Sequence, residues 1–146
     1  MIKITYPDHP FRIRNEKGRD MIFDELRKSW LALTPEEWVR QNFVQYLVQV
    51  MHYPPALVAL ERKIMVGEMS KRFDVLVYDS LHRPWMMVEC KSMAVPLREE
   101  VLNQVLRYHI AVPVHYLVIT NGAYCMAFRK EHTQLAPLET LPGFDS

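Results

Sequence analysis

RFDVLVYDSLHRPWMMVECK, residues 72–91, reads as two apolar strands joined by a polar turn, and each strand carries charge that a buried strand ordinarily avoids. Asp74 interrupts the first strand, and Glu89 and Lys91 close the second. Side chains on a strand alternate faces, so Glu89 and Lys91 share one face while Val88 and Cys90 take the other. A tight turn centred on Leu81-His82 sets an antiparallel register with Asp74 directly opposite Glu89. Two carboxylates and an ammonium then converge on one patch of an otherwise apolar sheet, an arrangement that suits a divalent metal.

Hard oxygen ligands such as Asp74 and Glu89 fit Mg²⁺ or Mn²⁺, which take one or two carboxylates and complete their shell with water and substrate phosphate. The backbone carbonyl of Cys90 offers a third ligand, while the Cys90 side chain belongs to the core. Lys91 is placed to orient an attacking water or to stabilise charge developing on a phosphate. The set fits phosphodiester hydrolysis. Acyl transfer fits poorly, because no nucleophile motif, zinc spacing or Gly-rich phosphate loop is present. From these three residues alone, ordinary ion pairs of Asp74 with Arg72 or Lys91 stay open as an alternative. The flanking runs favour a site, since charges embedded in apolar strands are usually functional or paired.

Upstream, Thr34-Pro35-Glu36-Glu37 is a helix start, with Thr as N-cap, Pro at the first position and Glu three residues after the cap. The spacing predicts a helix from Pro35 to about Met51, with Val39, Phe43, Tyr46, Leu47 and Val50 as its apolar stripe. Steps of 100° put Glu36 within that stripe and Glu37 away from it. The capping box accounts for Glu37 and leaves Glu36 either as a site carboxylate or as a first-turn acid favoured by the helix dipole. Met21 to Leu33 reads as a short amphipathic helix, and residues 1–20 as an irregular or short-stranded basic flank. Residues 56–66 form a strand ending at Gly67.

Downstream, Pro96 to Ile110 is a second helix with Leu97, Val101, Leu102, Val105 and Leu106 on its apolar face. His115 to Thr120 is an apolar strand, joined through a two-residue Asn121-Gly122 turn to a partner at 123–129. The tail, 131–146, reads as an extended surface segment. Passage from strand 84–91 through helix 96–110 to strand 114–120 implies a right-handed parallel crossover. The outcome is α/β, a mixed sheet with helices on its faces.

At 146 residues, 49% of them hydrophobic and 24% charged, the chain suits one globular domain, with a core of about 20–130 between the flank 1–19 and the tail. No apolar run spans a membrane, and the first residues lack a secretory signal. Two cysteines form no disulfide framework, which suits the cytoplasm. A net charge of +1 leaves any nucleic-acid contact to a local patch.

Asp74 followed by Glu89-Cys90-Lys91 resembles the D…(D/E)xK pattern of the PD-(D/E)XK nuclease superfamily. Gln104 and Tyr108 match the Q-x-x-x-Y motif of its RecB-like members and of the nuclease domain of type I restriction enzyme R subunits. TPEEWVRQ (34–41), KRFDVLVYD (71–79), VECK (88–91), QVLRY (104–108) and YLVITNG (116–122) are together similar to the R-subunit N-terminal domain over about residues 20–130. The resemblance implies a restriction-endonuclease-like mixed central sheet with an α-β-β-β-α-β core. It implies Asp74 and Glu89 as metal ligands and Lys91 as the catalytic lysine. Gln104 and Tyr108 would touch the substrate backbone or brace the site, with Glu36 as an added carboxylate. Without the resemblance, Gln104 and Tyr108 read as the polar edge of a core helix. Phe73 replaces the signature proline, and no motor domain is encoded.

The expected activity is a Mg²⁺- or Mn²⁺-dependent DNA endonuclease, acting alone, as a homodimer, or within a restriction or repair assembly. The alternative is a nucleic-acid-binding or scaffold module with the same fold and little or no catalysis. DNA against RNA and endonucleolytic against exonucleolytic cutting stay open.

Overall fold

A computed structural model describes residues 1–144; the last two residues of the expected tail lie outside the described residues. Strand β1 (Ile2–Lys3) is followed by β2 (Ile13–Glu16), β3 (Arg19–Asp24) and β4 (Ser29–Ala32). Helix α1 (Pro35–Gln45) continues into a π-turn, Tyr46–Val50. Then come β5 (Val58–Val66), β6 (Met69–Tyr78), β7 (Pro84–Cys90), α2 (Glu99–His109), β8 (Tyr116–Thr120), β9 (Tyr124–Glu131) and β10 (Gln134–Leu138). The expected α-β-β-β-α-β core is present as α1-β5-β6-β7-α2-β8. The fold is mixed α/β, compatible with a restriction-endonuclease-like sheet.

The large sheet runs β1-β9-β8-β7-β6-β5, with β10 also on β9. Of its pairings only β7 with β8 is parallel, the geometry a helical crossover demands. On one face Val75, Val77, Met86 and Val88 pack against Val39 and Phe43 of α1 and Leu47 of the π-turn. On the other, Leu76, Met87 and Leu117 pack with Leu106 of α2 and with Val112. Fully burying side chains such as Phe43 or Leu47 contributes about 2–3 kcal/mol each.

Thr34 caps α1, accepting the Glu37 backbone N–H at 3.0 Å. The capping box is only half made, because the Glu37 carboxylate turns inward to Arg40 and Gln41. Val50, expected on the apolar stripe, is exposed. The wider π-turn rotates it off the face that Leu47 still occupies.

Met21 to Leu33 is not a helix but the β3–β4 hairpin, with Phe23 opposite Trp30. The Asp24 carboxylate accepts the N–H groups of Leu26 and Arg27 at 2.9 and 3.0 Å, and Lys28 takes φ +54°. This side chain offers the backbone a turn in place of a helix. Together with β2, joined through Lys17-Gly18, the hairpin forms a separate three-stranded meander.

Asn121-Gly122 does not make a two-residue turn: Thr120 pairs with Cys125, and Asn121 N–H bonds the Tyr124 carbonyl. Asn121 instead holds two loops together, donating to the Val95 carbonyl at 2.9 Å and accepting the Tyr124 N–H at 3.1 Å. The tail is also more ordered than a surface segment. β10 pairs with β9, Leu141 is buried, and Phe144 packs on Tyr53 and Trp85.

Candidate active site

β6 and β7 pair with Val75 opposite Val88 and Leu76 opposite Met87, so the next step along the register sets Asp74 opposite Glu89. The turn between them is tied by Asp79, which accepts the N–H groups of Leu81 and Arg83, both at 2.9 Å. On the other side, Leu60 pairs with Val75 and Arg62 with Phe73, which brings Glu61 level with Asp74. Three neighbouring strands therefore carry a carboxylate at one level. The backbone is distorted there: Glu61 takes φ +49°, uncommon for a residue with a Cβ. The side-chain alternation of β6 slips at the same point. Phe73 lies in the core beside α2 and Val75 in the core beside α1.

Asp74 Oδ2 accepts the Cys90 backbone N–H at 2.8 Å, and Oδ1 lies 3.4 Å from Arg40 Nη1. Burial and the neighbouring Glu89 push the Asp74 carboxyl up to about 6, against the pull of the Cys90 N–H and Arg40. Glu36 adds to the same upward push. Glu89 faces the other helix, with Oε2 3.5 Å from His109 Nε2 and Oε1 3.7 Å from Lys91 Nζ. Val88 and the Cys90 thiol lie in the core, as the alternation predicts. Burial raises the Cys90 thiol well above its ordinary range.

Glu61 is engaged by arginines: Arg40 and Arg72 at 3.0 Å each and Arg27 at 3.2 Å. Burial pushes its carboxyl up, but Arg40, Arg72 and Arg27 together hold it below the usual range. Arg40 itself is buried and also holds Glu37 at 2.8 Å. A buried guanidinium needs such partners, and the network fixes α1 against β5 and β6.

Glu36, Asp74, Glu89 and Tyr108 line an opening of about 440 Å³. Glu89 and Tyr108 also line a groove of about 870 Å³ along α2, where Lys91 and Gln104 sit. The six side chains singled out from sequence thus reach two adjoining openings. Tyr108 is 48% exposed, and its carbonyl accepts Lys71 Nζ. Of the two first-turn acids, Glu36 is exposed at the opening and Glu37 is the buried one, the reverse of the helical-wheel placement.

Sequence reasoning missed Arg40, Glu61, Glu37 and His109. His109 stands four residues after Val105, on the buried stripe of α2, and its Nδ1 has no partner. That spacing was the available signal. Glu61 left none, because its level is set by strand pairing.

The donor set is hard: two carboxylates, one of them half-buried and raised, which is what a divalent cation would relieve. Among the described residues no group of three His, Cys, Asp or Glu side chains is arranged to hold a metal. A cation here would rest on two carboxylates and main-chain or outside oxygens. No helix among the described residues is long and apolar enough to cross a membrane.

A family model described as the type I restriction enzyme R protein N terminus matches residues 35–142, the span from α1 past β10. It leaves the β2–β4 meander outside. No curated protein matches the chain.

Proposed function

The chain belongs to the family of type I restriction enzyme R protein N-termini, and from that premise we propose that it is a metal-dependent DNA nuclease. The observation that carries the reading is the half-buried Asp74 carboxylate, one register step from the Val75–Val88 pair and hydrogen-bonded at 2.8 Å to the Cys90 N–H beside Glu89. Asp74 and Glu89, with the Cys90 carbonyl, would hold Mg²⁺ or Mn²⁺. Bound there, such an ion would supply Lewis acidity toward a phosphate oxygen and a water. Lys91, beside Glu89, neutralises charge developing on the phosphate and orients the water. Tyr108 and Gln104 contact the substrate backbone along the α2 groove, and Glu36 adds charge at the mouth.

The substrate is DNA, and the protein works as a homodimer or within a restriction or repair assembly that supplies any motor. The cytoplasm suits it, since Cys90 and Cys125 are free thiols.

The test is nicking of supercoiled plasmid and cleavage of single- and double-stranded oligonucleotides with Mg²⁺, Mn²⁺ or EDTA. Cleavage needs the metal and is lost in Asp74→Ala and Lys91→Ala. Cleavage that survives both changes overturns the proposal.

A second reading has one observation in its favour. Arg40 and Lys91 already stand against the two carboxylates, as in a site kept for structure. A nucleic-acid-binding or scaffold module of this kind shows salt-dependent DNA binding and no metal-dependent turnover.

A further inference from the structure

The β2–β4 meander presents two different faces. Ile22 and Asp24 of β3 are completely buried against the body of the protein. The residues that alternate with them, Phe23 on β3 and its partner Trp30 on β4, lie on the outer face with ring centroids 5.3 Å apart. Neither ring belongs to the two cores of the large sheet. Arginines stand over both. The Arg12 guanidinium lies 4.6 Å from the Phe23 centroid, and that of Arg14 lies 4.0 Å from Trp30. Arg19 emerges on the same face, because Arg14 pairs with Met21, two residues on. One acid, Glu16, opposes them and pairs with Arg14. A solvent-facing sheet side needs none of these rings.

We propose that this outer face binds single-stranded nucleic acid: Arg12 and Arg14 leave the half-buried Phe23 and Trp30 rings for phosphates, beside Arg19, and unstacked bases take their place on the rings. Exposed arginines give the charge complementarity. The near-neutral chain has to find it locally. Flat aromatic faces select unpaired bases, which a duplex keeps stacked and out of reach. The meander is also joined to the acidic cleft. Arg27, in the β3–β4 turn, reaches Glu61 at 3.2 Å, and Glu61 shares Arg40 with Asp74. The inference names a substrate form for the nuclease reading and rests on that reading for the strand's destination, not for its binding.

The experiment uses the full chain in EDTA and a labelled fifteen-nucleotide oligo-dT, read by fluorescence anisotropy at several salt concentrations, with a duplex for comparison. Single strands bind more tightly than duplex. The Arg12→Gln/Arg14→Gln double variant binds about tenfold more weakly, and its log–log salt slope falls by about 1.4, roughly 0.7 per phosphate contact. Trp30→Leu weakens binding about tenfold with the slope unchanged, which simple loss of charge does not produce. Circular dichroism and melting establish that each variant is folded. No binding, equal binding to duplex, or unchanged binding by the folded variants overturns the inference. Binding in this pattern by a chain that cleaves nothing supports the inference and overturns the nuclease reading.

Discussion

The Asp74 carboxylate accepts the backbone N–H of Cys90 at 2.8 Å, so one acid is fastened to the strand that carries the other. The backbone of Glu89, one residue before Cys90, is therefore held beside Asp74. Their mutual repulsion is held in place by the sheet. Burial and Glu89 raise Asp74 to about 6, so the native state binds more protons than the unfolded chain between about pH 4 and pH 6. Stability therefore falls as pH rises through that window, and the whole cost is present above it. Asp74→Asn is expected to be more stable than the parent at pH 8 by about 1–2 kcal/mol, and no more stable at pH 4. The full shift would give more, but the variant also weakens the contact with Arg40. Urea midpoints at both pH values, in EDTA, check this. A variant less stable at pH 8 counts against it.

On the proposed reading, a divalent cation held by Asp74 and Glu89 would relieve the same repulsion. Mg²⁺ or Mn²⁺ at about ten times its Kd is expected to raise the Tm by roughly 3–5 °C, and EDTA to reverse it. Asp74→Asn and Glu89→Gln lose the shift. Lys91→Ala keeps or enlarges it, because its ammonium, 3.7 Å from Glu89, competes with the cation. The same variant loses about 100-fold or more in cleavage. A thermal-shift titration set beside the cleavage assay separates holding the ion from using it.

Glu36 and Glu37 are adjacent in sequence and opposite in consequence. Glu37→Gln leaves Arg40 buried with its best partner gone, and is expected to cost about 2–4 kcal/mol. Glu36→Gln, at an exposed position, changes stability by no more than about 0.5 kcal/mol. Denaturation of the two single variants decides it. Equal costs would mean that Arg40 does not depend on Glu37.

Gly122 has φ +96°, and a Cβ there would meet Val39 Cγ2 at 3.2 Å and Met93 Cγ at 3.3 Å. Backbone strain and crowding act together, so Gly122→Ala is expected to destabilise by about 1–3 kcal/mol. A melt unchanged from the parent would contradict the loop geometry described for 121–123.

Much of this arrangement was legible in local pattern. The expected turn on Leu81-His82 is centred instead on Leu81, with Tyr78 opposite Pro84, and a one-residue register shift between Val77 and Tyr78 restores the level of Asp74 with Glu89. Thr34 and Pro35 announce α1, and the parallel step from β7 to β8 follows from the helix between them. The misreadings came where one side chain outbids a periodicity. Asp24 captures two backbone N–H groups and turns an apparent helix into a hairpin. The π-turn throws Val50 outward. Within the site, Asp74, Glu89 and Lys91 stood out because charge is unusual in apolar strands. Glu61 and Arg40 did not, since β5 is rich in charge and Arg40 resembles any helix-surface arginine. Only pairing across strands reveals them.

The β6–β7 hairpin also orders events in time. Asp74 and Glu89 are brought together by a short loop, at little entropic cost. β1, by contrast, joins β9 through Ile2 and Cys125, from opposite ends of the chain. Contacts that close short loops form ahead of those that close long ones. On loop length alone the two acids are expected to meet before β1 reaches β9. Ease of assembly, as much as chemistry, favours keeping both carboxylates on one hairpin.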